Sequence, residues 1–462
     1  MWSRIASIAV SAVYHRDVRS APPGHSSNLS PGRARITPVR FRRGAIALAS
    51  FVLLCVTASV CQAQTHEVVC SAGSGTFESQ FHTGVKVSVA AARNDGLATR
   101  ACAAELSWDK QKLVIAASAP RVDVDAFGAD LGMGVPVAAI QVKKSGIGCC
   151  MSFQIYSLQK PPRLLRTITG ADSFGAADTD LDGRVEIWAD DSAAVDGFEH
   201  LDVRQLDFPP SIVLRFTNGQ LLDVSAEFQS YFDQEIAKVR AALDAQQISD
   251  FKTSDGRLEP DGFSSLEDLR QNDYLQAVKL KVLEIVWSYV YSGREDEAWH
   301  ALADMWPPDD VDRIRNAILQ ARAHGIRAQV DGVSTAVPTG RKEHVEIFDG
   351  IRPPPSNVPV VTSGRRGFAT IFDGMGNTNK SDLVLPQPIQ LWSPLKMDAS
   401  DEVVMDLVID SAGKVRSAEP VDHTKRIGED LIAATAEWKF IPAFKDGRPV
   451  ASRVRISVSP KM

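Results

Sequence analysis

The chain has 462 residues, 44% of them apolar and 23% charged, which is enough to bury real cores, and its length suggests about two to four domains. Arg4, Arg16, Arg19, Arg33, Arg35, Arg40, Arg42 and Arg43 against Asp17 put +7 into the first 43 residues, so the formal −6 of the whole chain conceals −13 in the rest. This composition argues against overall disorder, and the acidic remainder argues against a nucleic-acid partner.

The apolar run Ala45 to Val60 follows Arg40, Arg42 and Arg43 and ends in Cys61-Gln62-Ala63-Gln64. Residues 1–63 therefore read as an export signal cleaved after Ala63, which places the rest in the periplasm or cell envelope. A run of about 16 residues is shorter than the ~20 of a spanning helix, but Gly44 and residues 61–63 extend it, so an uncleaved inner-membrane anchor is the alternative. Cleavage leaves Cys70, Cys102, Cys149 and Cys150 as disulfide candidates in an oxidising compartment. Joining neighbours strains the peptide between them, so Cys149 and Cys150 are each expected to pair with Cys70 or Cys102, or to stay free.

Residues 64–216 read as a β-rich domain, with alternating or apolar runs such as Val85 to Val89 and Val137 to Val142 broken by Gly, Pro and Asp. Within it Phe127-Gly128-Ala129-Asp130 returns 47 residues later as Phe174-Gly175-Ala176-Ala177-Asp178. The wording resembles the FG-GAP calcium-loop repeats of extracellular β-propellers, which implies propeller-blade-like repeats. Two copies do not close a ring, so an open sheet, a sandwich or a partial propeller is expected. The second copy runs into Asp178-x-Asp180-x-Asp182-Gly183, alternate carboxylates before a turn glycine, with Glu186 three residues on. Asp178, Asp180, Asp182 and Glu186 are candidate calcium ligands, because hard cations take oxygen donors. Ala189 at the twelfth position excludes an EF-hand, and an acidic turn without an ion is the plain alternative.

Helical periodicity takes over in residues 217–328. Phe228, Phe232, Ile236, Val239 and Leu243 predict a helix from about 225 to 246, and an apolar helix over about 266–292 reads as the centre of a bundle. Glu295 to Met305 and a segment opened by Pro307-Pro308 and closed by Gly325 complete it. Residues 329–394 lose periodicity, gather eight prolines between Pro338 and Pro394, and read as a Pro-rich linker.

Residues 395–462 carry the most specific pattern: an alternating strand from Val403 to Ile409, the turn Asp410-Ser411-Ala412-Gly413, and a short helix near Gly428 to Glu437. Trp438-Lys439-Phe440-Ile441-Pro442, the turn Asp446-Gly447, Arg448-Pro449-Val450 and a closing strand to Val458 follow. This order resembles the C-terminal domain of the TonB family, over about 60 residues. It departs in having no Tyr-Pro pair ahead of the first strand and no terminal aromatic residue. The resemblance implies a small βαβ module that pairs an open strand edge with an extended segment of an envelope protein, such as an outer-membrane receptor, within TonB-type energy transduction. Arg453 and Arg455, on the outward face of the last strand, are the candidate peptide-binding residues, and the module is expected to fold autonomously. The fold class is thus multidomain α+β. No His-Glu-x-x-His, Gly-x-Ser-x-Gly or phosphate loop occurs, so a binding protein is expected rather than an enzyme. The alternative function is a calcium-stabilised secreted or periplasmic binding module whose TonB-like end is structural, and an enzyme of unrecognised class is the third.

Overall fold

Alternating apolar positions become antiparallel ladders in a computed structural model, which describes residues 68–92, 100–144, 149–200, 210–258, 266–334, 345–349, 359–361, 369–372, 383–392, 403–422 and 428–458. The signal or anchor segment 1–63 lies outside these residues. The first strands are β1 (Cys70–Ser71), β2 (Phe77–Gln80), β3 (Lys86–Ala91), β4 (Cys102–Trp108), β5 (Gln111–Ala119), β6 (Arg121–Ala129), β7 (Val137–Lys143), β8 (Met151–Ser157) and β9 (Leu164–Ala171). They form two sheets, β2-β3-β4-β5 and β1-β6-β7-β8-β9. Val87, Val89 and Leu106 of the first sheet share a core with Val122, Val124 and Ile140 of the second. The opposite face of the second sheet, with Ala126, Ala139, Phe153 and Ile155, enters a different core. Burial on both faces explains why Val137-Ala138-Ala139-Ile140 is continuously apolar.

Cys70 on β1 and Cys102 on β4 form a disulfide, with Sγ atoms 2.07 Å apart and Cα atoms 5.9 Å apart, that staples the two sheets together. The sulfurs of Cys149 and Cys150 lie beside one another, where the expectation was that each would pair with Cys70 or Cys102 or stay free. With Cys70 and Cys102 bonded to one another, neither was left to take a second partner.

The next segment contains β10 (Phe174–Ala177), β11 (Glu186–Asp190), the short helix α1 (Ser192–Val195), β12 (Ser211–Thr217) and β13 (Gln220–Asp223). Helices α2 (Gln229–Ala241), α3 (Ala245–Lys252), α4 (Leu266–Tyr291), α5 (Glu295–Met305) and α6 (Val311–His324) follow, and β14 (Gly332–Val333) returns to pair in parallel with β13. Trp188 of the β10-β11-β12-β13-β14 sheet packs edge-on against Phe228 and Tyr231, joining sheet and helices. The helix expected to run from 225 to 246 is broken, because Asp244 and Gln247 form a capping box that starts α3. The two copies of the repeat end β6 and β10, in different sheets, and the described residues form no closed barrel or propeller. The copies do similar local work. Asp130 Oδ1 accepts the N–H groups of Gly132, Met133 and Gly134, and Asp178 accepts those of Asp182 and Gly183, so each aspartate caps the turn after its strand.

Where sheet and helices meet, Asp191 is fully buried and accepts the Tyr291 hydroxyl at 2.6 Å and the Ile326 N–H at 2.9 Å. Burial, against these hydrogen bonds, pushes its carboxyl up from 3.8 to about 6. The native state therefore binds more protons than the unfolded chain between those values, and Asp191's contribution falls as pH rises through that window, by about 3 kcal/mol. Denaturant midpoints measured from pH 4 to 7 should show this against Asp191→Asn, whose amide oxygen still accepts from Ile326. Parallel pH profiles for the two proteins would refute it.

The C-terminal part contributes β15 (Phe348–Asp349), β16 (Pro359–Val361), β17 (Ala369–Phe372), β18 (Leu383–Val384), β19 (Gln387–Gln390), β20 (Val403–Ile409) and β21 (Val415–Pro420). Helix α7 (Glu429–Ala436), β22 (Lys439–Ile441), β23 (Ala443–Lys445), β24 (Arg448–Val450) and β25 (Ser452–Val458) complete it. The main sheet has the order β16-β17-β25-β20-β21, with β15 also on β25. Its core is Met405, Leu407, Trp438, Phe440, Val454 and Ile456, covered by Leu431 of α7. The stretch 329–394 read as a linker thus supplies six short strands, β14 to β19. Strands of two to four residues are too short to show a periodicity in the sequence. All described residues belong to one compact unit, and none of their helices is long and apolar enough to cross a membrane.

Candidate functional site: the acidic loop and the C-terminal sheet

The loop between β10 and β11 opens on Asp178, which is fully buried because it lies under the C-terminal sheet. Its N–H donates to Asp410 Oδ2 at 3.0 Å, while Asp410 Oδ1 accepts the N–H groups of Ala412 and Lys414 and so caps its own turn. Arg416 reaches the Thr179 carbonyl at 3.1 Å. Glu186, at the start of β11, takes Arg215 Nη2 at 2.9 Å on one oxygen and the Thr179 N–H at 3.0 Å on the other. Arg215 also meets Glu227 at 2.9 Å.

Negative charge is crowded here. Burial, with the nearby Asp410 charge, pushes the Asp178 carboxyl up to about 7, and burial pushes Glu186 up to about 8 against the pull of Arg215. Asp410 is raised by burial too. Asp178, Asp180 and Glu186 each offer a carboxylate oxygen within 4.8 Å of the others. Asp182 stands outside this group: its Oδ1 accepts the Arg184 N–H at 3.0 Å and its Oδ2 the Arg184 Nε at 2.9 Å. The three carboxylates fit a hard divalent cation by donor type and spacing, and Arg215 competes with such an ion for Glu186.

The C-terminal module is docked on the second sheet by two ion pairs. Lys414 Nζ lies 2.8 Å from Asp125 Oδ1, with side chains 8% and 2% exposed, and Lys439 pairs with Asp123. Ile389 and Ile441 join the first core. The expected autonomous module is therefore tied to the β-rich region by contacts it would lose alone. Asp123 and Asp125 escaped the sequence reading, although two acids two residues apart inside an apolar strand were a signal that the strand face meets cations.

The expected free edge is also taken. One side of β25 pairs with β20 over seven residues, and the other carries β17 in antiparallel register and β15 in parallel register. Arg455 lies opposite Asp406 on β20 and donates to it at 2.7 and 3.0 Å, so its guanidinium is engaged within the sheet. Arg453 is exposed, opposite Asp349. Beside this edge lies a cleft of about 730 Å³, lined by Asp130, Gly183, Arg184, Glu346, Phe348 and Arg448 among others.

Comparison with protein-family models, with curated proteins and with solved structures returned no match to this chain.

Proposed function

We propose that this chain is a periplasm-facing, TonB-like envelope protein that binds an extended segment of a partner through its C-terminal sheet. One observation carries the reading: the outer edge of β25 takes up short strands from distant parts of the chain, in both directions, by main-chain pairing. An edge that accepts strands without regard to direction recognises backbone first, which is what strand addition requires. A part in energy transduction depends further on residues 45–60 staying as an anchor. The partner is an envelope protein, for example an outer-membrane receptor, and the role is binding rather than catalysis. A photo-crosslinking residue at the exposed position Arg453 should capture an envelope protein from cells, and one at exposed Lys112 on β5 should not. Equal capture at both positions, or none at Arg453, would refute the reading.

The acidic loop favours a second reading, a calcium-stabilised module. A cation held by Asp178, Asp180 and Glu186 would offset the burial that raises Asp178 and Glu186, and at Asp178 the Asp410 charge that adds to it. A ligand bound only by the folded state at 100 times its Kd adds about 2.7 kcal/mol. The melting midpoint should accordingly rise by a few degrees in calcium over chelator, and Asp180→Asn should abolish the rise. An unchanged midpoint would remove calcium from the account.

A further inference from the structure

The two copies of the repeat meet at the cleft beside β25. Gly132 and Gly134 line it from the turn that Asp130 caps, and Gly183 lines it from the turn that Asp178 caps. The C-terminal part adds Ser411, Glu346 and the β23–β24 turn at Gly447 and Arg448. Because an aspartate pins each of the first two turns, that side of the cleft is set before any ligand arrives. There is room in it too: a Cβ built on Gly134 or Gly447 would meet nothing within 4 Å. Pro136, Phe216, Phe348 and Pro449 give the lining an apolar share.

Four charged side chains line the cleft among the described residues, and two of them are already engaged. Asp130 Oδ1 accepts three N–H groups of its own turn, and Arg184 donates Nε to Asp182 Oδ2 at 2.9 Å. Glu346 and Arg448 differ. Both are exposed, they come from separate elements, and neither side chain pairs with the other or with any other described residue. Opposite charges held apart on one cleft match a ligand that carries an ammonium at one end and a carboxylate at the other. Volume sets its size. A cleft of about 730 Å³ is roughly 11 Å across if taken as a sphere, the length of an extended tripeptide at ~3.5 Å per residue.

We infer that the cleft binds a short peptide with free termini, about three residues long, whose carboxylate meets Arg448, whose ammonium meets Glu346 and whose apolar side chain lies against Phe216 and Phe348. The lining residues come from the Asp130 turn, the acidic loop and the C-terminal part, so a bound peptide ties all three together and raises the melting midpoint. Such a site owes nothing to strand capture at β25, because Arg453, where that reading is tested, does not line the cleft.

The test titrates the purified chain with the tripeptide Ala-Phe-Ala and follows the phenyl proton signals by NMR. Acetylating its N-terminus or amidating its C-terminus should each weaken binding at least about five-fold, the size of one partly exposed ion pair. Arg448→Ala should weaken the free tripeptide to the same extent, abolish the penalty for amidation and leave that for acetylation. Glu346→Gln should do the converse. Both side chains are exposed and unpaired among the described residues, so the two variants should melt with the unaltered chain. Equal affinity for free and capped peptides, or capping penalties that the variants leave in place, would overturn the inference. No binding at about 10 mM peptide would overturn it as well, and would leave Glu346 and Arg448 as solvated surface charges.

Discussion

Truncating Lys414 to Ala should cost about 3–5 kcal/mol of folding stability, because it strands a buried carboxylate. Asp125 is 2% exposed and sits where three sheets converge. Its own strand is β6, its Oδ2 accepts the Ala176 N–H of β10 at 2.8 Å, and its Oδ1 and carbonyl both take Lys414 Nζ at 2.8 Å. Without the ammonium the carboxylate keeps one neutral donor. Lys414→Met separates charge from packing, since it keeps most of the aliphatic stem, and it should lose nearly as much as Lys414→Ala. Replacing Asp125 as well by Leu is not expected to restore stability in full, because the Ala176 N–H then has no acceptor. Lys439 and Asp123 lie close enough for the two pairs to couple, so their losses should not add. Denaturant midpoints for the single and double variants decide the matter, and a Lys414→Ala loss under about 1 kcal/mol would mean that water reaches the pair.

Local signals were legible and distant pairings were not. Helices α4 and α5 follow from spacing at three and four residues, and the alternation in β20 and β25 fixed which side chains would face Trp438 and Phe440. The start of α3 was readable too, in Asp244-x-x-Gln247, but an unbroken apolar stripe from Phe228 to Leu243 drew the preceding helix too long. The acidic loop shows the limit of a motif. Asp178, Asp180 and Asp182 are equivalent as a pattern, yet Asp178 caps the turn and Asp182 turns to Arg184, a division set by backbone direction at Gly183. Composition misled most in residues 329–394. Their prolines suit a linker, and strands of two to four residues gain stability only by joining a sheet built elsewhere. The pairs Asp125–Lys414 and Asp123–Lys439 join residues about 300 positions apart, beyond the reach of any periodicity.

Gly413→Ala should unfold the C-terminal module's turn at a cost on the order of 3–5 kcal/mol, a size reserved for strain and clashes in places that cannot relax. The turn from Asp410 to Lys414 is closed by the Gly413 N–H donating to Asp410 O at 3.0 Å, and Gly413 holds φ at +86°. A Cβ there would lie 1.8 Å from the Phe440 carbonyl oxygen and 2.8 Å from its carbon, both backbone atoms. The Phe440 N–H donates to the Gly413 carbonyl at 2.8 Å, so the β22 backbone cannot retreat without breaking that bond and moving Trp438 and Phe440 in the core. Gly447 supplies the control. Its φ is +73°, and a Cβ there meets nothing within 4 Å, so Gly447→Ala should pay only the left-handed conformational cost of about 1–2 kcal/mol. Midpoints for the two variants, read side by side, separate clash from conformation. Equal losses would mean that β22 gives way freely, and that the Asp410 turn does not brace the strand that carries Lys439 to Asp123.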